Sequence, residues 1–443
     1  MAALAQRLDF HLDRFEKLEA ARGGREPEWL RELRRTGLQR FIELDFPTTR
    51  DEEWKYTNLA ALAKKEFAVA GPGDVDAALV EQASFGDFEA ARLVFVNGRF
   101  SAEQSTATGL SGGATAGSIA QLLAGDPAVL EGRLGAYADA GQQALVALNS
   151  AFFEDGAFVS IPDRAVAEKP IHLIFVSTET NAVSHPRVLI VGGADCEASV
   201  IETYVSAGAE SYWTNTVTEI FAAENARIGH YKIQKEHPSA FHTGYVHMVQ
   251  QRTSVVHNHS LAFGGGLVRN DIRAVLADQG ADCNLNGLYT IGGSQHVDNH
   301  TVIDHARPHC TSHELYKGVL DGRSTGVFSG KIIVRKDAQK TDAIQSNKNL
   351  LLSDQANINT KPQLEIEADD VRCTHGATVG QMDEEALFYL QSRAIGIKEA
   401  RALLTYAFAA DILDRVRFEP VRERLEAELF EWLGREQKAE QSS

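Results

Sequence analysis

Apolar residues run along this chain in two different rhythms. Near the start, Leu4, Leu8, Leu12, Phe15 and Leu18 recur at the spacing of one helix face. Gly23-Gly24 interrupts that pattern. Pro27 suits the start of a second helix through Trp29, Leu30 and Leu33, so residues 3–44 read as helices. The segment from Arg50 to Thr57 reads as loop and turn, and Gly71-Pro72-Gly73 and Ser111–Gly117 as surface loops. An Asn-Gly pair follows the apolar run from Leu93 to Val96, which predicts a hairpin reaching Phe100.

From about Phe158 to Val379 the rhythm changes. Short runs rich in β-branched residues alternate with turns: Ile171–Ser177, Val188–Val191, Ala198–Val205, Thr216–Phe221 and Arg227–Lys232. No amphipathic helix of useful length intervenes, which argues against a doubly wound fold. One internal repeat stands out. Asp271, Val275, Leu276, Cys283, Leu288 and Tyr289 match Asp298, Val302, Ile303, Cys310, Leu315 and Tyr316, 27 residues on at every position. Strand-rich units of that length predict stacked coils, as in a β-helix, with Cys283 near Cys310. A β-sandwich is the competing reading.

After Asp383 the helical rhythm returns. Ala386, Leu387, Leu390 and Arg393 fit a short helix stopped at Gly396. A second helix is predicted over Ile397–Val416, and beyond Pro420 a third over Val421–Leu433. The chain thus divides into a mostly helical region 1–157, a β-rich core 158–382, a helical region 383–436 and a disordered tail 437–443. The stripe Ala400, Leu403, Leu404, Ala407, Phe408, Asp411 and Ile412 suits core packing or a partner-binding helix.

Composition narrows the function classes. With 443 residues, the chain is long enough for two or three domains. A net charge of −17 argues against nucleic acid as a partner, because few phosphates would be neutralised. No apolar run approaches the ~18 residues of a membrane span. Asp9, Asp13 and Glu16 suit neither a signal peptide nor a transit peptide. The four cysteines, Cys196, Cys283, Cys310 and Cys373, are far apart and form no Cys-x-x-Cys, which fits a reducing cytoplasm.

The chemistry-bearing candidate is Cys373-Thr-His375-Gly-Ala-Thr378. On a strand, a thiol and an imidazole two residues apart share one face. Such a pair suits iron or zinc, yet supplies only two ligands. His296, His300, His305, His309, Cys310 and His313 are dense, but their spacing fits no metal motif, so they read as solvated strand and turn residues. His257 and His259 read as surface or core residues. Gly264-Gly265-Gly266 precedes no helix and lacks a phosphate-loop lysine, so no ATPase is implied. Gly109-Leu-Ser-Gly-Gly113 has the spacing of a hydrolase elbow without its strand and helix, and reads as loop. Gln345–Asn349, with Asn357 and Asn359, suits amide ladders. Lys331, Arg335, Lys336, Lys340 and Lys348 suit solvent or an acidic partner.

Several blocks in order resemble the SufB/SufD family of iron–sulfur cluster assembly, and its SufD branch in particular. They are Glu53–Thr57, Leu148–Gly156, Phe328–Ser353, Asn359–Ile366, Cys373–Asp383 and Leu387–Arg393. The resemblance implies a right-handed parallel β-helix flanked by N- and C-terminal helical domains. It implies a non-catalytic scaffold that pairs with a SufB-like paralogue and binds a SufC-like ATPase. The ATPase docks on the last helical domain, here Leu403, Leu404, Ala407, Phe408 and Ile412. The family's functional cysteine and histidine fall on Cys373 and His375, expected to help hold a transient iron or cluster at the interface with SufB. No cofactor is implied for the chain alone, and a second copy of the chain is a candidate partner in the absence of SufB. A polyuronate lyase-like β-helix enzyme and a purely structural solenoid are the alternatives from other classes.

Overall fold

The structure, a computed structural model, describes residues 2–439 except 23, 87, 108 and 139; side chains of 2–9 and 435–439 are left aside. It is mainly β, and its core is a parallel β-solenoid of about eight turns, with helices before and after it. Successive strands alternate between two sheets. Trp213–Ala222, Phe241–Gln250, Leu267–Leu276, His296–His305, Thr325–Val334 and Asn357–Ile366 stack in one sheet. Arg227–Lys235, Val255–Ala262, Asp282–Ile291, Thr311–Leu320, Asp342–Leu351 and Arg372–Gln381 stack in the other. We refer to them as the first and second sheets.

One corner of each turn explains the stacking. Asp195, Asn225, Thr253, Gly280, His309 and Lys340 all adopt the left-handed conformation where the chain passes from the first sheet to the second. Their N–H groups donate to carbonyls one turn on: Asp195 to Glu224, Asn225 to Arg252, Thr253 to Gln279, His309 to Gln339 and Lys340 to Asp370. The backbone at this corner is therefore paired even though no residue type is repeated.

The 27-residue sequence repeat is not the structural one. Asp282 pairs with Thr311 and Cys283 with Ser312, a step of 29 residues, and Asp271 pairs with His300 at the same step. Cys283 and Cys310 thus occupy different positions in their turns, one within a strand and one just before the next. Because strand side chains alternate with period two, a two-residue slip keeps each on its face. The matching apolar positions reflect that shared face and do not mark the register.

The ends follow the local signals. Helices span Ala2–Arg22 and Glu28–Leu44, with Pro27 preceding the second. Ala91–Val96 and Arg99–Thr106 form the expected hairpin, with Asn97 and Gly98 both at positive φ. Ala91–Val96 then joins the second sheet beside Ile171–Ser177, so the N-terminal region extends the solenoid. At the other end, Asp383 caps the helix Glu384–Ser392 by accepting from the N–H groups of Glu385 and Ala386. Helices Ile397–Leu413 and Glu419–Ala439 follow; Pro420 sits in the first turn of the last, where its missing N–H costs nothing. That helix includes residues 437–439 of the stretch read as a tail, and 440–443 lie outside the described residues.

Candidate functional site

The solenoid's last strand, Arg372–Gln381, pairs with Asp342–Leu351 on one side only. Cys373 faces Ala343, and His375 faces Gln345. Ala343 and Gln345 are buried inside the solenoid, so Cys373 and His375 occupy the inward-facing positions of the terminal rung. No further rung covers them. Cys373 remains half-buried against the central core, and His375 is exposed. Burial, with the nearby Asp342, raises the Cys373 thiol above its usual range, so the free chain keeps it protonated at neutral pH. A bound cation would favour the thiolate and release that proton. Among the described residues, no group of three or more His, Cys, Asp or Glu side chains is arranged to hold a metal ion. The thiol–imidazole pair is a partial ligand set.

Beneath this rung the interior turns polar. Gln345 donates from Nε2 to Glu314 at 2.8 Å, one turn below. Burial pushes the Glu314 carboxyl up to about 7, although Thr301 and Gln345 act the other way. Further in, His230 meets the carboxylate of Glu202 at 2.8 Å, and Asn258 meets the other nitrogen of that ring at 2.7 Å. Lys232 donates to Asn270 at 2.8 Å; burial brings it down to about 8, against the pull of Glu202, Glu236 and Asp271. Two glycines make this interior possible. A Cβ at Gly287 would fall inside the ring of Tyr316, and one at Gly244 on the Lys232 ammonium. Sequence reading missed this column, because no motif marks inward-facing polar residues spread over successive turns.

The other candidates separate. His300 and His305 are buried, which corrects the reading of the histidine cluster as solvated. His300 contacts Asp298 at 3.1 Å and Glu53 at 3.3 Å, while His305 bonds Ser312 at 2.9 Å. Hydrogen bonds to these neighbours offset the cost of burying the rings. His296 bonds the Thr57 hydroxyl at 2.8 Å. His309 is a left-handed corner residue, and His313 faces solvent. His259 stacks on Tyr231 at 4.6 Å, and His257 is exposed. Gly265 donates to the Glu236 carbonyl within a loop between strands. Ser111 accepts from the Glu168 N–H and donates to the Val166 carbonyl. Asn347 donates to the Tyr316 carbonyl and Asn349 to the Asn347 side chain, while Asn270 and Asn299 form an amide pair between two rungs, at 3.2 Å. Lys331, Arg335 and Lys340 pair with Glu365, Asp304 and Asp370.

The block Glu53–Thr57 acquires a reason. Arg269 is buried between Asp271 at 2.7 Å and Asp298 at 2.6 Å, with its guanidinium 4.1 Å over the Trp54 ring. Arg269 also donates to the Glu53 carbonyl, and Thr57 donates to Asp298. The segment is thereby pinned to the outside of the first sheet.

On the helix Ile397–Leu413, Leu403 and Ala407 face outward, Leu404 and Phe408 are half-buried, and Ile412 is fully buried against the second sheet. Phe388, Tyr389 and Ile397 add further outward apolar surface, with Phe388 72% exposed. The sequence stripe therefore splits between core and surface.

Fold and site together define a two-sheet β-solenoid with helical layers and an incomplete thiol–imidazole pair at its open end. Residues 175–408 match the family described as "SUF system FeS cluster assembly, SufBD core domain", and residues 9–173 match its N-terminal region. A SufBD family protein of Synechocystis is 33% identical, covering 92% of each chain. The Escherichia coli protein SufD is 30% identical, covering 94% of each. A chloroplast protein of Arabidopsis thaliana, ABCI7, is 26% identical over 89% of this chain and 84% of its own. This chain belongs to the SufBD family of SUF iron–sulfur cluster assembly. No helix among the described residues is long and apolar enough to cross a membrane.

Proposed function

We propose that the chain is a non-catalytic scaffold whose open solenoid end pairs with a SufB-like paralogue and completes an iron or nascent-cluster site there. The carrying observation is the position of Cys373 and His375 on a terminal rung that nothing covers. An unpaired ten-residue strand is a template for another strand. The two free edges are unequal. The first sheet ends in Asn357–Ile366, where Pro362 lacks an N–H and blunts the edge. The second ends in Arg372–Gln381, which has no proline and bears the ligand pair. Val379, 48% exposed at an inward-facing position of that rung, gains cover when a partner strand continues the second sheet.

A SufC-like ATPase docks on the outward surface formed by Phe388, Tyr389, Ile397, Leu403 and Ala407, while Phe408 and Ile412 anchor the helix beneath it. The setting is cytoplasmic. In the absence of the paralogue, a second copy of this chain takes the open edge.

Co-purification with the paralogue and the ATPase tests the scaffold role. Wild type is expected to retain both, and a chain ending near Asp383 to lose the ATPase. His375→Ala is expected to keep both partners and to lose iron or cluster in the reconstituted complex. Intact cluster assembly in that variant would overturn the assignment of the site.

A further inference from the structure

Among the described residues the buried arginines are paired, whereas the half-buried Arg14 is not. Arg34 meets Glu26 at 3.0 Å, Arg187 meets Glu219 at 2.6 Å, and Arg269 meets two aspartates. Arg14 has no carboxylate within ion-pairing distance among the described residues. Its Nε and Nη2 atoms are shut away from solvent without an acceptor. Its Nη1 donates to the Phe67 carbonyl over a long 3.4 Å, and the guanidinium lies 4.9 Å over the Phe152 ring. Burial lowers Arg14 to about 10, with only Glu154 acting against it.

Arg14 lines a cavity of about 270 Å³ walled by Phe10, Phe46, Phe67 and Trp213. Phe46 and Phe67 each hold a tilted contact with Trp213, at 6.0 and 6.2 Å, so the walls are set by packing. Lys64 and Lys65 also line the cavity, and Glu66 is the acid among its lining residues. The balance is cationic in a chain whose net charge is −17. Aromatic walls with a few placed polar groups are the usual make-up of a small-molecule site, and this volume lies just under their ~300 Å³ lower end.

We propose that this cavity binds a small aromatic or aliphatic carboxylate, its apolar body among the four rings and its anion on the Arg14 guanidinium. The cationic lining of Arg14, Lys64 and Lys65 favours an anion in the cavity. The site is separate from the solenoid's open end and does not depend on the scaffold role.

Calorimetric titration of the full chain with 4-phenylbutyrate and with its neutral primary amide tests this. The acid is expected to bind about tenfold or more tighter than the amide, as a charge-assisted hydrogen bond requires. Arg14→Met is expected to abolish that preference while its Tm holds, because no ion pair among the described residues is lost. Ala63→Phe, at another lining position, is expected to weaken both probes. Equal binding of acid and amide, an unchanged preference in Arg14→Met, or no binding of either at millimolar concentration would overturn the proposal.

Discussion

The two outer faces of the solenoid are covered in opposite ways. On the first sheet, the N-terminal region adds buried charge to apolar packing. Glu219 accepts from the N–H groups of Gly135, Tyr137 and Ala138 at 2.9, 2.9 and 3.1 Å, and holds Arg187 at 2.6 Å. Arg187 also donates to Asn149 and Ser150 of the helix Ala144–Phe152. On the second sheet, the C-terminal helices lay Ile412, Leu413, Val421, Leu425 and Leu429 against Ile233, Leu261, Leu288 and Val319. Their polar contacts are single ion pairs, such as the buried Lys317 with the exposed Asp411 at 2.9 Å and the exposed Arg417 with Glu197 at 2.9 Å. Buried hydrogen bonds to charged groups are directional and fix one register. Apolar contact is non-directional, and its strength follows the area covered. The N-terminal layer is therefore a fixed part of the solenoid. The C-terminal layer rests mainly on apolar contact, joined by ion pairs that are only partly enclosed, such as Lys235 with Glu428 at 2.7 Å.

The sharpest way to break this contrast is at Arg187. Arg187→Met leaves Glu219 buried without its cation, and unfolding by denaturant is expected to show a loss of about 3–5 kcal/mol. The double variant with Glu219→Leu is expected to recover part of that, less the three N–H partners it strands. A single-variant loss below about 1 kcal/mol, the scale of an exposed pair, would remove the fixed-layer argument.

Ile412→Ala comes next, at about 2–5 kcal/mol for a buried isoleucine. Hydrogen exchange is expected to show this loss confined to the helices Ile397–Leu413 and Glu419–Ala439, with the residue 135–138 backbone still protected. In wild type, the same helices are expected to exchange faster than that backbone. The reverse order would contradict a layer held mainly by apolar contact.

The smallest expected effect is pH-dependent. Burial and Arg269 push His300 down, yet Asp298 and Glu53 outweigh them and raise it. A raised imidazole stabilises the fold fully below its unfolded value of about 6.5, and that contribution fades as pH rises through the folded value. The hydrogen bond from His300 holds Glu53 down at about 2, so its contribution is present at neutral pH and is lost only in strong acid. Stability of the Glu53–Thr57 anchor is thus expected to decline as pH rises beyond about 6.5 in wild type. In His300→Gln, that slope should flatten; an unchanged slope would place the titration elsewhere.

Much of this was legible from local signals, because those signals act locally. The Asn97-Gly98 hairpin, the Pro27 helix start and the Asp383 cap need only neighbouring residues. The change of rhythm near Phe158 announced strands, and two-residue spacing put Cys373 and His375 on one face. The family blocks carried the resemblance that the relatives bear out. Register was not legible. It is fixed at the corners by left-handed residues as different as Asp195, Thr253, Gly280 and Lys340, which share a backbone conformation and no side chain. Burial of His300 and His305 was hidden for a related reason, since their partners Glu53 and Ser312 become neighbours only once the chain has coiled. The split of the stripe from Leu403 to Ile412 likewise needed the second sheet in place. Sequence by itself determined which elements form and which residues share a face, because those depend on period and backbone preference over a few residues. Only the tertiary structure decided which rung lies over which, which charges are buried together, and which end stays open, because those depend on groups far apart along the chain.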